Sequence, residues 1–165
     1  LRELEGSGLV TSERYRGTRV RGADSDEMRE SYELRATLEG RAVELAIPCE
    51  PQVLAEVERC LRGMREMDRS GDPEQYIELA LRFHRRLIEA SGNRVFVTVW
   101  DSLHFDVRGR IVLRRITERG DLLEPFHELH DTLLAAIRAK NPAAASATVR
   151  EIFTRVGDLF QRSDS

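Results

Sequence analysis

The sequence predicts an all-α protein: an antiparallel bundle of about six helices, preceded by the tail of a helix and a short β-hairpin. Residues that start and stop helices recur along the chain, and the apolar residues between them repeat at spacings of three and four. No run of alternating apolar and polar residues appears after residue 22. With 165 residues, of which 41% are hydrophobic, the chain can build one domain with a real core.

The first 22 residues differ in pattern from the rest. Residues 1–9 carry leucines at helical spacing and then two glycines, which predicts the last turns of a helix. Residues 10–20 predict two short strands joined by a turn at Arg16 and Gly17. A linker over residues 21–23 leads into the bundle.

Six helices follow, over residues 25–47, 51–68, 73–90, 94–117, 122–139 and 142–162. Their starts are indicated by N-cap, capping-box and first-turn residues, namely Asp24 with Glu27, Pro51, Asp72 with Pro73, Asn93, and Asn141 with Pro142. Their ends are indicated by breakers, namely Pro48, Ser70–Gly71, Ser91–Gly92 and Gly120. The short connections favour an antiparallel bundle.

Charge is distributed unevenly along the chain. The formal net charge is −3; residues 1–22 hold five Arg and three Glu, a net of +2, so the remaining 143 residues carry −5. Binding to phosphates needs concentrated positive charge, so only the N-terminal stretch is a candidate for DNA contact.

Other protein classes are disfavoured by composition. No window approaches the roughly 18 uninterrupted apolar residues of a membrane span, and the charged start lacks the apolar region of a signal peptide. The two cysteines, Cys49 and Cys60, form neither a disulfide framework nor a thiolate metal site. We therefore expect a cytoplasmic protein without a membrane partner.

Two histidines fall within apolar stripes. His84 shares the stripe of the third predicted helix with Ile77, Leu81 and Leu87, and His130 shares that of the fifth with Leu133 and other leucines. Each could be a packed histidine with one polar partner. A shared polar cavity that holds water or a ligand would satisfy both at once, because a buried polar group without a partner costs about 1–3 kcal/mol.

Two further residues are candidate ligand contacts. Arg35 has Glu39 four residues later, which is typical of an ion pair at a surface or interface; alternatively, Arg35 anchors a ligand carboxylate by a bidentate contact. Asp106 is offset from the apolar face of the fourth helix, formed by Val95, Phe96, Val99, Leu103 and Val107, and is expected at a cavity edge.

The sequence resembles a known family in several places. Leu-Arg-Glu-Leu-Glu-Gly-Ser-Gly-Leu-Val at residues 1–10 and Arg-Gly-Thr-Arg-Val at 16–20 resemble the end of a winged helix-turn-helix domain of the GntR family. Glu-Leu-Arg at 33–35 and Leu-Glu at 38–39 resemble the start of the FCD-type effector domain of its FadR subfamily. The most specific matches are Phe-His at 83–84 with Ala-Ser-Gly-Asn at 90–93, followed by His130, Asn141 and an alanine-rich last helix.

Many such domains hold a divalent metal with one Asp and three His, and the resemblance implies that the corresponding positions should be compared in this sequence. In this sequence His84 and His130 match two of those ligands, whereas Ala80 replaces the Asp and Ile152 replaces the third His. A metal site needs three or four converging ligands. We therefore expect no cofactor and a metal-free cavity; the alternative is an altered divalent-metal site that draws on His104 or His127.

The resemblance also implies the domains, the partners and the function. Residues 1–22 would be the remnant of the DNA-binding domain, with Arg14, Arg16 and Gly17 as wing contacts to an operator in the intact protein. Residues 23–165 would form the effector and dimerisation domain, with helices one and four at the homodimer surface. The function predicted is a transcriptional regulator, acting as a repressor, that senses a small organic acid and is not an enzyme. The alternatives are a helical interaction module without an effector and a metal-dependent helical protein.

Overall fold

The computed structural model describes residues 10–13, 17–20, 25–118 and 124–161. Two strands come first, β1 (Val10–Glu13) and β2 (Gly17–Val20). Seven helices follow within the described residues: α1 (Ser25–Leu45), α2 (Pro51–Ser70), α3 (Pro73–Ala90), α4 (Arg94–Ser102), α5 (Phe105–Glu118), α6 (Glu124–Arg138) and α7 (Pro142–Gln161). In this part of the chain, no helix combines the length and apolar character needed to cross a membrane.

The strands and most helices match the sequence prediction. β1 and β2 pair antiparallel, with Val10 opposite Val20 and Glu13 opposite Gly17. Three predicted caps are present, because the side chains of Asp72, Asn93 and Asn141 accept backbone N–H groups at the starts of α3, α4 and α7. The predicted helix over residues 1–9 and the Asp24 cap lie outside the described residues.

The predicted fourth helix over 94–117 is wrong, because the structure breaks it into α4 and α5. His104, between the two, has a φ of 49°, in the left-handed region that ends helices. The break turns Trp100 and Phe105 into the core, where they are 5% and 1% exposed. Val95, predicted on the buried face, is 66% exposed.

The helices pack in pairs around one main core. α1 packs along α7, α2 along α3, and α6 along α7. A smaller apolar cluster, made of Ala42, Ile88, Trp100 and Phe105, joins α4 and the break to α1 and α3. This arrangement places the middle turns of α1, α3, α6 and α7 around a common interior space.

Candidate ligand-binding site

A cavity of about 40 Å³, measured as the space open to the centres of water molecules, lies between the helices. It has room for about three waters. Its lining comes from six of the helices: Tyr32, Arg35, Met64, Tyr76, Ala80, Leu81, His84, Leu113, Phe126, His130, Ile152, Phe153 and Val156. The cavity is the candidate site because most of the predicted site residues converge on it.

Three predicted ligand contacts meet at this cavity. Arg35 from α1, His84 from α3 and His130 from α6 line it and are all at least 95% buried. Ala80 and Ile152 line it too. The four positions that the resemblance assigns to a metal therefore do surround one space, with imidazoles at two of them and aliphatic side chains at the others.

Other predicted residues lie elsewhere. Asp106 is exposed and does not line the cavity, so the expectation that it lies at the cavity edge is not met. His104 sits at the helix break, and His127 is buried with Nε2 3.1 Å from Asp68 Oδ2; neither lines the cavity. Among the DNA candidates, Gly17 lies in β2, whereas Arg14 and Arg16 lie outside the described residues.

Glu39 is the centre of a buried charged cluster beside the cavity. Arg35 Nε donates to Glu39 Oε1 at 2.5 Å, and Trp100 Nε1 donates to the same oxygen at 3.0 Å. His84 Nδ1 lies 2.8 Å from Oε2 as an ion-pair contact. Arg35 and Glu39 are each 3% exposed, so this pair is interior and not the surface or interface pair that its spacing suggested.

Aromatic rings pack against the Arg35 guanidinium, and a glycine leaves room beside it. Its Cζ lies 4.4 Å from the centre of the Phe153 ring, within the range of a cation–π contact. A Cβ at Gly109 of α5 would lie 3.5 Å from Arg35 Nη1 and 2.8 Å from a methyl carbon of Leu81. A side chain at position 109 would therefore crowd this wall of the cavity.

The hydrogen-bond partners assign the protons on His130. Its Nδ1 lies 2.6 Å from the carbonyl oxygen of Phe126, which only accepts, so Nδ1 carries the proton. Burial, reinforced by the positive charge of His84, lowers the pKa of His130 to about 3. The ring is thus neutral near pH 7, and its Nε2 is an acceptor.

His84 contacts both His130 and Glu39. Its Nε2 lies 3.3 Å from His130 Nε2 and must donate to that acceptor. Its Nδ1 faces the Glu39 carboxylate, which is ionised: burial raises the pKa of Glu39, but Arg35 and His84 outweigh it and hold the pKa at about 2. Arg35 and Glu39 thus form a buried ion pair, and the His84 ring lies between that carboxylate and His130.

Sequence reasoning missed Glu39 as a site residue, and also Trp100 and Tyr32. A signal for Glu39 was present, because Tyr32, Arg35, Ala36, Glu39 and Val43 follow helical spacing on one face of α1, and all are buried. Trp100 gave no such signal, since its bond to Glu39 joins residues 61 positions apart.

The residues around the cavity do not fit a divalent metal. Two metal–nitrogen bonds at a tetrahedral angle separate the nitrogens by about 3.4 Å, so the 3.3 Å between the histidines would suit a shared ion. The other donors are missing, because Ala80 and Ile152 have no ligating atom. Nowhere in the described residues do three or more His, Cys, Asp or Glu side chains form a group that could hold a metal.

The family model of the FCD domain matches residues 30–155, which include most of the bundle and every cavity-lining residue except Val156. The chain belongs to the FCD domain family. The chain is 28% identical over 144 residues to a "Probable D-xylose utilization operon transcriptional repressor" of Paenarthrobacter nicotinovorans, covering 87% of this chain and 62% of that protein. It is also 28% identical over 168 residues to the HTH-type transcriptional repressor GlaR of Escherichia coli K12, covering 92% of this chain and 72% of that protein.

Solved structures share the fold of this FCD domain. E. coli McbR/YncC superposes with a TM-score of 0.85 at 23% identity, over 97% of this chain and 80% of that one. A putative GntR transcriptional regulator from Rhodococcus sp. RHA1 gives a TM-score of 0.79 at 19% identity, over 98% and 77% of the two chains. The chain spans 62% of the Paenarthrobacter protein and 72% of GlaR, so it corresponds to only part of each.

Proposed function

We propose that this FCD domain is the effector-sensing part of a DNA-binding transcriptional repressor and that its effector is a small organic acid. The observation that carries the proposal is the buried cluster of Arg35, Glu39 and His84, from which the Arg35 guanidinium and the His84 imidazole line the cavity. The named repressors among the relatives support the regulatory role.

A carboxylate is the ligand that these two side chains favour. Burying a charge costs several kcal/mol unless a partner of opposite sign compensates it. Glu39 pairs with Arg35 through Nε, and a ligand carboxylate would approach the same guanidinium from the cavity side. Guanidinium and imidazole N–H groups are strong donors to carboxylate oxygens, so the same groups would also orient the acid.

Helix α1 offers a route from the cavity to the DNA-binding part. It carries Arg35 and Glu39, and it is the first helix after β2, at the end of the segment that we assign to a DNA-binding wing. An acid that binds one arrangement of α1 better than another would shift the population between them. Arg14, Arg16 and Gly17 would contact the operator in the intact protein, in the cytoplasm.

A homodimer is part of the same proposal. Large apolar side chains are exposed on the two helices at which the dimer surface was expected: Leu34 of α1 is 47% exposed and Val95 of α4 is 66% exposed. A two-fold partner that covered them would place two copies of α1 close together, as paired DNA half-sites require.

The test is a thermal-shift screen of small carboxylic acids, with the intact protein then tested for operator binding. An acid at about 100 times its dissociation constant adds about 2.7 kcal/mol to stability. Arg35→Gln should abolish the shift, whereas Arg41→Gln, on the exposed side of the same helix, should retain it. The proposal is wrong if no acid stabilises the protein, or if the acid that does so leaves operator binding unchanged.

A further inference from the structure

Gly109 lies within α5, where alanine would form a more stable helix. Its φ is not in the left-handed region, so the backbone does not require glycine at this position. The surrounding space does require it, because a Cβ would lie 2.8 Å from Cδ2 of Leu81, closer than two carbon atoms pack. The Leu81 side chain therefore occupies the room that a side chain at position 109 would need.

Leu81 and Arg35 separate Gly109 from the cavity. Both line the cavity and both would contact a Cβ at position 109, whereas Gly109 itself does not line it. The Cβ would lie 3.5 Å from Arg35 Nη1, an ordinary contact distance that leaves the guanidinium in place. Leu81 would have to shift, and a shift away from α5 carries its methyl groups towards the cavity.

We infer that Gly109 is a specificity-determining residue of the cavity, because the absence of a side chain there sets how long an acid can be when its carboxylate contacts Arg35. Gly109 acts through Leu81 and is therefore a positioning residue. This inference rests on the proposed function and adds a size limit to it.

The cavity is small enough for the shift of one methyl group to matter. Its volume of about 40 Å³ open to water centres holds about three waters, and a methyl group takes up about the space of one water. Eight of the thirteen lining residues have apolar side chains, so each methylene group of an acid gains from burial wherever it fits. An acid that is too long for the cavity loses that gain.

Gly63 of α2 provides a matched control. A Cβ there would lie 2.8 Å from Cδ1 of Leu79, which is the same approach to a leucine methyl group. Leu79 belongs to α3, as Leu81 does, but it does not line the cavity. Gly63→Ala should therefore disturb the packing of α3 to a similar extent without changing the space that an acid occupies.

Straight-chain carboxylates measure the space beside Arg35, because they differ only in length. Calorimetry on the whole chain compares acetate with butyrate, which is longer by two methylene groups. Each buried methylene raises the affinity about fourfold, so the unmodified chain should bind butyrate about fifteenfold more tightly than acetate. Gly109→Ala should lower this ratio to about fourfold or less, whereas Gly63→Ala should leave it unchanged.

Leu81→Val separates crowding of the cavity from a general loss of stability. It removes the Cδ atoms that the added Cβ would meet, while the Cγ atom of residue 81 lies 3.9 Å away. Gly109→Ala combined with Leu81→Val should recover a ratio of at least about tenfold. Leu81→Val alone should make valerate bind more tightly than butyrate, which remains a test if Gly109→Ala does not fold.

The outcomes separate this inference from the proposed function. An unchanged ratio in Gly109→Ala, an equal fall in Gly63→Ala, no recovery in the double variant, or no gain for valerate in Leu81→Val overturns the inference. If the unmodified chain binds neither acetate nor butyrate but does bind another acid of the screen, the size argument is wrong and the proposed function stands. If no carboxylate binds at up to about 10 mM, both are wrong.

Discussion

Helices α1 and α7 pack side by side, yet they supply opposite chemistry to the cavity. α1 contributes Tyr32 and Arg35, backed by Glu39, whereas α7 contributes Ile152, Phe153 and Val156. Both faces are equally buried, so burial alone does not distinguish them. The difference is that each polar group on α1 has a charged partner within the bundle, which allows a buried face to be charged at all.

The largest effect should come from breaking the α1 side. Glu39→Gln removes the anion between Arg35 and His84 and leaves the buried Arg35 guanidinium without its counter-ion. Loss of one partner from a buried ion pair typically costs 3–5 kcal/mol, so urea unfolding at pH 7 should show a loss of about that size.

Glu33→Gln is the matched control for this variant. It makes the same change on the same helix, but the Glu33 side chain is 66% exposed. It should change stability by no more than about 0.5 kcal/mol. Equal losses in the two variants would show that the buried Glu39 carboxylate contributes no more to stability than the exposed Glu33 carboxylate does.

A second test of the comparison adds metal-ligating side chains to the apolar side of the cavity. Ala80→Asp together with Ile152→His should complete a four-ligand set with His84 and His130. Zn²⁺ at about 100 times its dissociation constant should then stabilise the double variant by about 2.7 kcal/mol in a thermal-shift measurement. The unmodified chain and an Ala80→Ser, Ile152→Val variant should show no such shift.

Failure of the double variant to gain metal affinity would mean that these four positions do not converge as the cavity indicates. Chelation with EDTA should reverse the stabilisation if it comes from bound metal.

The smallest of these effects is a dependence of folding stability on pH, and it arises from the polar side of the cavity. The pKa of His130 is about 3 in the folded chain against 6.5 for the unfolded one, so the unfolded state takes up a proton first as the pH falls. Stability from this group is complete above pH 6.5 and declines below it, by up to about 1.4 kcal/mol per pH unit.

Between pH 6.5 and 5 this contribution amounts to about 2 kcal/mol. Glu39, with a pKa of about 2 against 4.5, acts in the same direction only below about pH 4.5. Urea unfolding at several pH values measures the slope, and His130→Asn should flatten it between pH 6.5 and 4.5. An unchanged slope in that variant would contradict the neutral, buried state of His130.

The sequence predicted those parts of the fold that neighbouring residues encode. Asp72, Asn93 and Asn141 cap helices because each acts on backbone groups two or three residues away. His84 and His130 were predicted to face the interior because apolar spacing reports the orientation of a helix face. Both are buried and lie in contact, which spacing within each helix could not establish.

The break at His104 was not predicted because tertiary packing causes it. No glycine or proline marks the position, and the residues from 94 to 117 continue to favour helix. Burial of both Trp100 and Phe105 needs a change of direction between them, and that gain compensates the left-handed conformation of His104. The contact between Trp100 and Glu39 was not predicted for the same reason, because it also depends on tertiary packing.

The Trp100 contact also provides an intrinsic fluorescence probe of the buried cluster. Trp100 is the one tryptophan in the sequence, and its indole N–H bonds the carboxylate that pairs with Arg35 and His84. Any event that redistributes charge around Glu39 changes the electric field on that ring, and hence its emission. Intrinsic fluorescence can therefore follow the state of the buried cluster without an attached label.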